Sequence, residues 1–208
     1  MRDIFLSSIV LATLLASSVA VAAKSSVLGT PDQIAAETLG LKLMNAPEVK
    51  RQKEESRKQL LALPIAANPE GKKTLSQALD AVVYTAAMLT ASRRDPAHPV
   101  VAWTFTAPHE WFGKKIPTSG LGFQNPDAIY RVIVIDGASK YEATLRPHGA
   151  LPKMFSANLY DMIVIENPKT KIDTALAGLR ESEFKPEADG SFRITVDSDP
   201  ANGRANHM

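Results

Sequence analysis

Apolar residues run from Ile4 to Leu15 with only Ser7, Ser8 and Thr13 between them, then give way to small residues ending in Ala20-Val21-Ala22-Ala23. A charged start at Met1-Arg2-Asp3, an apolar stretch and an A-x-A step are the order of a secretory signal peptide, here residues 1–22. An uncleaved anchor is the alternative, because Ile4 to Ala23 matches the ~20 residues of a membrane span. The pattern then turns helical. Thr30-Pro31-Asp32 offers a hydroxyl cap, a proline at the first helical position and an acid facing the helix dipole, so a helix is expected up to about Asn45, before Pro47. A second, mostly charged helix runs from Glu48 to about Leu63, with Lys50/Glu54, Arg51/Glu55 and Glu54/Lys58 as opposite-charge pairs one turn apart. Ala67 to Gly71 reads as a connector. A third helix is expected from the capping box Thr74-Leu75-Ser76-Gln77, with Leu75, Ala78, Leu79, Val82, Val83, Ala86 and Leu89 forming its buried stripe. Tyr84 and Met88 fall beside that stripe as packing residues.

Arg93-Arg94-Asp95-Pro96-Ala97-His98-Pro99 interrupts every periodicity and marks the expected boundary between a helical segment, 23–92, and a β domain, 93–208. Beyond it, short β-branched and aromatic runs predict strands at Val100 to Thr106, Ile129 to Asp136, Tyr141 to Arg146, Met154 to Glu166 and Ser191 to Asp197. Hairpin turns are expected at Asp136-Gly137 and Asp189-Gly190. Phe105 to Asn125 reads as a long irregular loop, and its Trp111, Phe112 and Phe123 imply that it packs onto something. No helix-length amphipathic segment alternates with these strands, which argues against a doubly wound parallel sheet and favours an antiparallel sandwich or barrel. The expected class is α+β: N-terminal helices followed by an antiparallel β-sandwich-like domain, incomplete if the chain is truncated.

Composition narrows the chemistry. The 208 residues contain no Cys, so disulfides, thiolate metal sites and cysteine nucleophiles are all excluded. Lys+Arg 24 against Asp+Glu 22 gives a net charge of +2, which is not the single-sign surface of a dedicated nucleic-acid binder.

Three ordered motifs carry a resemblance. They are Gly122-Phe123-Gln124-Asn125-Pro126-Asp127-Ala128-Ile129-Tyr130-Arg131 with Asp136-Gly137, then Phe155-Ser156-Ala157-Asn158-Leu159-Tyr160-Asp161, then Asp189-Gly190-Ser191-Phe192-Arg193-Ile194 followed by Asp199-Pro200-Ala201-Asn202-Gly203-Arg204-Ala205-Asn206-His207. Over roughly Thr74 to Met208 the chain resembles bacterial domain-of-unknown-function family twelve-fourteen and its relative twelve-fifty-four. The resemblance implies a β-sandwich-rich architecture and supplies no catalytic residues. Family members continue with further strands after the asparagine-histidine step, so the resemblance also implies that this chain is the N-terminal part of such a protein.

Side-chain chemistry leaves alternatives open. Asn125 and Asp127 around Pro126 suit a turn held by side-chain to backbone hydrogen bonds, or ligand contacts at a sheet mouth. Strand alternation puts Arg131 on a face with Ile133 and Ile135, and Asp161 on a face with Phe155, Ala157, Leu159, Ile163 and Ile165. If buried, those two charges need partners, each other first; an Arg awaiting a substrate carboxylate or phosphate is the other reading. Ser156, Asn158 and Tyr160 form a polar row that fits a sugar cleft or a solvated face. His98, His109, His148 and His207 lack metal-ligand spacing, and Ser119 is not in a G-x-S-x-G elbow. Glu142, Asp161 and Glu166 are carboxylates whose separation sequence does not give.

The expectation is therefore an exported, periplasmic or secreted binding or accessory module for a polar small molecule or saccharide. Trp111, Asn125, Asp127, Arg131, Asn158, Tyr160 and Asp161 are its candidate ligand residues; no metal, cofactor or nucleic acid is expected, and membrane contact only through an uncleaved signal. The alternatives are a hydrolase or lyase-type enzyme using Asp161 with Arg131 or a histidine, and a truncated family member without independent activity.

Overall fold

A computed structural model describes residues 26–121, 124–161 and 175–208. The signal segment, Phe123, Ile163, Ile165 and Glu166 lie outside the described residues. Helix α1, Pro31–Met44, starts as its sequence implies: the Thr30 hydroxyl accepts from the Gln33 N–H at 3.2 Å, and Asn45 caps the other end. Helix α2, Pro47–Leu61, buries no residue and is laced by Arg51–Glu48, Arg51–Glu55 and Arg57–Glu54 pairs. After a 3-10 turn at Pro64–Ala67, α3 spans Pro69–Ser92. It begins earlier than the Thr74 capping box suggested. Asn68 accepts from the Gly71 N–H at 2.6 Å, Pro69 takes the first helical position and Glu70 faces the dipole, while Thr74 merely donates to the Glu70 carbonyl inside the helix. The buried stripe is also rotated from the expected one. Tyr84, Met88 and Ala91 sit at the core and Val82 faces solvent, because the last turns of α3 are enclosed on several sides rather than one.

The β elements form two-stranded antiparallel ladders. Strand β1, Val101–Thr104, pairs with β4, Tyr130–Ile133; β2, His109–Trp111, with β3, Lys114–Ile116; β5, Tyr141–Leu145, with β8, Phe192–Val196; and β6, Ser156–Tyr160, with β7, Ala175–Arg180. The mixed α+β class holds. The β2–β3 hairpin corrects the expectation of an irregular loop. Its two-residue turn places Phe112 at φ 47° and Gly113 at φ 70°, the positive pair of a type I′ turn. Neither expected hairpin joins neighbouring strands. Asp136 spends its carboxylate on the Ala138 and Ser139 N–H groups, so β4 and β5 leave that turn for different ladders. Asp189-Gly190 closes a tight turn from Glu187 to Ser191, short of any second strand.

Two apolar clusters organise the chain. The first joins Ala36 of α1 and Tyr84, Met88 and Ala91 of α3 to Ile116 of β3, with Val100 and Trp111 against it; packing thus crosses the proline connector. In the second, Phe184, Phe192 and Ile194 pack with Ala143, Phe155, Ala157, Leu179, Val196 and Met208. The C-terminal residues dock on β8 through a parallel bridge between Thr195 and His207. Buried Asn206 fastens that segment, accepting from the Lys185 N–H at 2.8 Å and donating to the carbonyls of Lys185 at 2.8 Å and Arg193 at 3.0 Å. Among the described residues no helix is long and apolar enough to cross a membrane.

Candidate functional site

Helix α1 presents an unusual inner face. Gln33, Ala36, Glu37 and Gly40, at the i, i+3, i+4, i+7 spacing of a buried stripe, are its buried residues, and two of the four are polar. Gly40 lets Tyr84 and Met88 approach: a Cβ there would stand 3.0 Å from the Met88 sulfur. With that space filled, Glu37 is 1% exposed and needs partners. It has two donors. Gln33 Nε2 donates to Oε1 at 2.8 Å and Trp111 Nε1 donates to Oε2 at 2.7 Å. Gln33 also engages the β1 backbone in both directions, donating to the Trp103 carbonyl at 3.0 Å and accepting from its N–H at 2.7 Å.

His109 completes the cluster. Its Nε2 lies 3.6 Å from Glu37 Oε1 and makes no hydrogen bond, while Nδ1 lies 3.0 Å from the Ala107 carbonyl. The ring lies between tryptophans, tilted against Trp103 at a centroid distance of 4.8 Å and edge-to-face with Trp111 at 5.0 Å. From α3, the Tyr84 hydroxyl is buried without a partner, and desolvation, helped by the Glu37 charge, pushes its phenol well above the ordinary range.

Beside this cluster lies a shallow concavity of about 600 Å³ between the end of α1, the middle of α3 and the segments flanking the hairpin. Met44, Pro108 and Pro117 give it apolar walls; Lys73, Ser76, Gln77 and Asp80 give it polar groups. Asp80 is held by Lys53 of α2, whereas Lys73, Ser76 and Gln77 have no side-chain partner among the described residues. A smaller concavity, about 400 Å³, lies over β5 and β8, but its Arg193 already pairs with Glu187 and its Asp189 with Ser191.

The sequence-derived candidates do not converge. Of the seven, Trp111 alone belongs to the interior cluster, where its indole serves Glu37. Asn125 and Asp127 form a turn: Asn125 Oδ1 accepts from the Asp127 N–H at 2.9 Å, and the Asn125 N–H donates to the Tyr130 hydroxyl at 3.0 Å. Arg131 is exposed on the outer face of β4, and Asp161 is exposed just past β6, beyond an irregularity at Leu159/Tyr160. No ion pair joins them among the described residues: both side chains are exposed, so the burial on which the expected pairing depends is not met, and partial desolvation alone lowers the Arg131 guanidinium from its ordinary value. Asn158 and Tyr160 lie on the exposed face of β6, where Asn158 donates to Ser156 at 3.3 Å. Of the other histidines, His98 is exposed and faces Asp95, while His207 is held by Thr195 and the Asp199 carbonyl. Arg204, within the motif that ends in Asn206-His207, forms a bidentate pair with Asp197 at 2.7 and 3.0 Å, and that guanidinium holds the Asp197 carboxyl far below the usual range. The chemistry-bearing residues of that motif are thus spent on holding the C-terminal segment.

Sequence reasoning missed Gln33 and Glu37, which look like ordinary polar helix positions. The available signal was negative: no apolar stripe continues through them. No family model, curated protein or solved structure matches the chain.

Proposed function

We propose that this protein is an exported binding module for a polar small molecule or saccharide, and that the ligand lies in the concavity between α1, α3 and the segments flanking the β2–β3 hairpin. One observation carries the reading: Lys73, Ser76 and Gln77, unpaired among the described residues, converge there on a space whose walls include Met44, Pro108 and Pro117. Hydrogen-bonding groups over a small apolar surface suit a molecule with hydroxyls on its edge and C–H groups on its face, and the volume falls within the ~300–1,000 Å³ of small-molecule sites.

The same reading takes residues 1–22 as a cleaved signal that delivers the chain to the periplasm or beyond. It also keeps the resemblance to families twelve-fourteen and twelve-fifty-four as the proposed kinship. For the β-rich end the proposed architecture is a small sandwich, with β5–β8 and β6–β7 as layers; supporting it, Ala143 and Ile194 from one ladder share a cluster with Ala157 and Leu179 from the other.

Calorimetric titration of neutral sugars, sugar acids and small carboxylates into the protein tests the site. Binding by one class is expected, weakened about tenfold by Lys73→Ala or Gln77→Ala, each the equivalent of one good polar contact. Absence of binding at millimolar concentrations, or binding that neither substitution disturbs, would overturn the assignment.

A further inference from the structure

We propose that His109 and Glu37 form a proton-operated latch that sets how tightly the β2–β3 hairpin closes on α1. Hydrogen-bond bookkeeping leads there. A carbonyl only accepts, so the 3.0 Å contact with Ala107 requires the proton of His109 on Nδ1. In the neutral ring Nε2 then carries a lone pair, and it faces Glu37 Oε1, another acceptor, at 3.6 Å. Those atoms can attract each other only when a second proton, taken from water, sits between them. Protonation converts imidazole to imidazolium, and its Nε2–H closes on the carboxylate as a charge-assisted hydrogen bond in a buried site. Loss of that proton returns two facing lone pairs and leaves Trp111 as the hairpin's polar tie to Glu37.

The hairpin is suited to respond. Among the described residues it is a two-stranded ladder with no third strand, an arrangement of marginal intrinsic stability. Its attachment runs through side chains: Trp111 to Glu37, and Ile116 in the core. Few other charges bear on the pair. From α3 the facing group is Tyr84, whose phenol burial keeps un-ionised; from β1 it is Trp103, and from β3 the register partner of His109 is Ile116. Glu110 is directed to the opposite, exposed face and registers with Lys115. His109 keeps 19% of its side chain exposed, so solvent reaches the ring although Nε2 itself is buried, whereas Glu37 is sealed at 2%.

Both tryptophans of the chain touch His109, so they report the latch directly. The full chain, labelled with nitrogen-15 at its indoles, is titrated from about pH 5 to 8.5, the window in which histidine changes charge; Trp111→Phe assigns the two signals. The Trp111 indole N–H resonance is expected to follow a one-proton curve, and acrylamide quenching of tryptophan emission to increase on the alkaline side. In His109→Gln both responses are lost. In Glu37→Gln the ring still titrates, but the indole resonance no longer follows it. Wild-type protein alone decides the matter if either variant fails to fold: a Trp111 indole signal that stays fixed while the His109 ring protons titrate overturns the latch. So does an indole curve that persists unchanged in His109→Gln.

Discussion

Replacing Asn206 with Ala removes three hydrogen bonds from a residue that is 6% exposed and sits at φ 51°. Two carbonyls and one N–H, at Lys185 and Arg193 beside the second cluster, lose their partner. Each bond is worth about 1 kcal/mol net, and placing alanine in the left-handed region costs about another 1, so about 4 kcal/mol of stability is expected to go. With a urea dependence of about 2 kcal/mol per molar, the midpoint falls by about 2 M. Asn206→Gly separates the terms, since glycine accepts the backbone angle but restores no bond. Urea unfolding followed by far-UV circular dichroism measures the loss. Tryptophan emission, which reports Trp103 and Trp111 near the first cluster, shows whether the two clusters unfold together. A midpoint shift below about 0.5 M in Asn206→Ala would refute the assignment of Asn206 as the fastener of the C-terminal segment.

Three further outcomes follow from the geometry. Trp111→Phe keeps the ring but removes the donor to a buried carboxylate, and should lower stability by about 2 kcal/mol in thermal or urea unfolding. Asp136 is held at about 2, below its ordinary 3.8, by the Tyr141 hydroxyl first and Ser139 second. A depressed carboxyl stabilises the fold above its unfolded value and loses that contribution as pH falls toward 2. Tyr141→Phe should therefore raise the Asp136 titration toward 3.8, read by carbon-13 carboxyl shifts, and start acid loosening at higher pH. Gly113→Ala meets no atom within 4 Å, so its expected loss of about 1 kcal/mol comes from the positive φ alone; thermal unfolding with an unchanged midpoint would contradict the type I′ turn.

Local chemistry made part of this fold legible. The Thr30-Pro31-Asp32 start of α1 needs no tertiary context, and the strands at Val101–Thr104, Tyr130–Ile133, Tyr141–Leu145 and Phe192–Val196 fall inside β-branched and aromatic runs. Elements whose residues argue against their state were missed. Strand β7 is Ala-Leu-Ala-Gly-Leu-Arg, which has no β-branched residue and is fixed by pairing with β6. The β2–β3 turn puts phenylalanine where asparagine or glycine is usual; Phe112 is held there by packing, its ring lying where a Cβ on Gly29 would come within 2.7 Å. The candidate site was opaque for a related reason. A pairing of Arg131 with Asp161 is expected only where their strand faces are buried, and burial belongs to the assembled ladders. Glu37 and His109 are 72 positions apart in the numbering (109 minus 37), and their meeting follows from how the hairpin folds back on α1.

Gln33 has a consequence for association between molecules. By offering an amide oxygen and an amide nitrogen to both backbone groups of Trp103, it occupies the side of β1 turned away from β4, much as a one-residue strand would. A stray extended chain approaching that border meets a site already taken, so lateral growth of this ladder is left to the β4 side, where Arg131 presents a charge. One side chain thus gives the sheet a direction in which it can recruit and one in which it cannot.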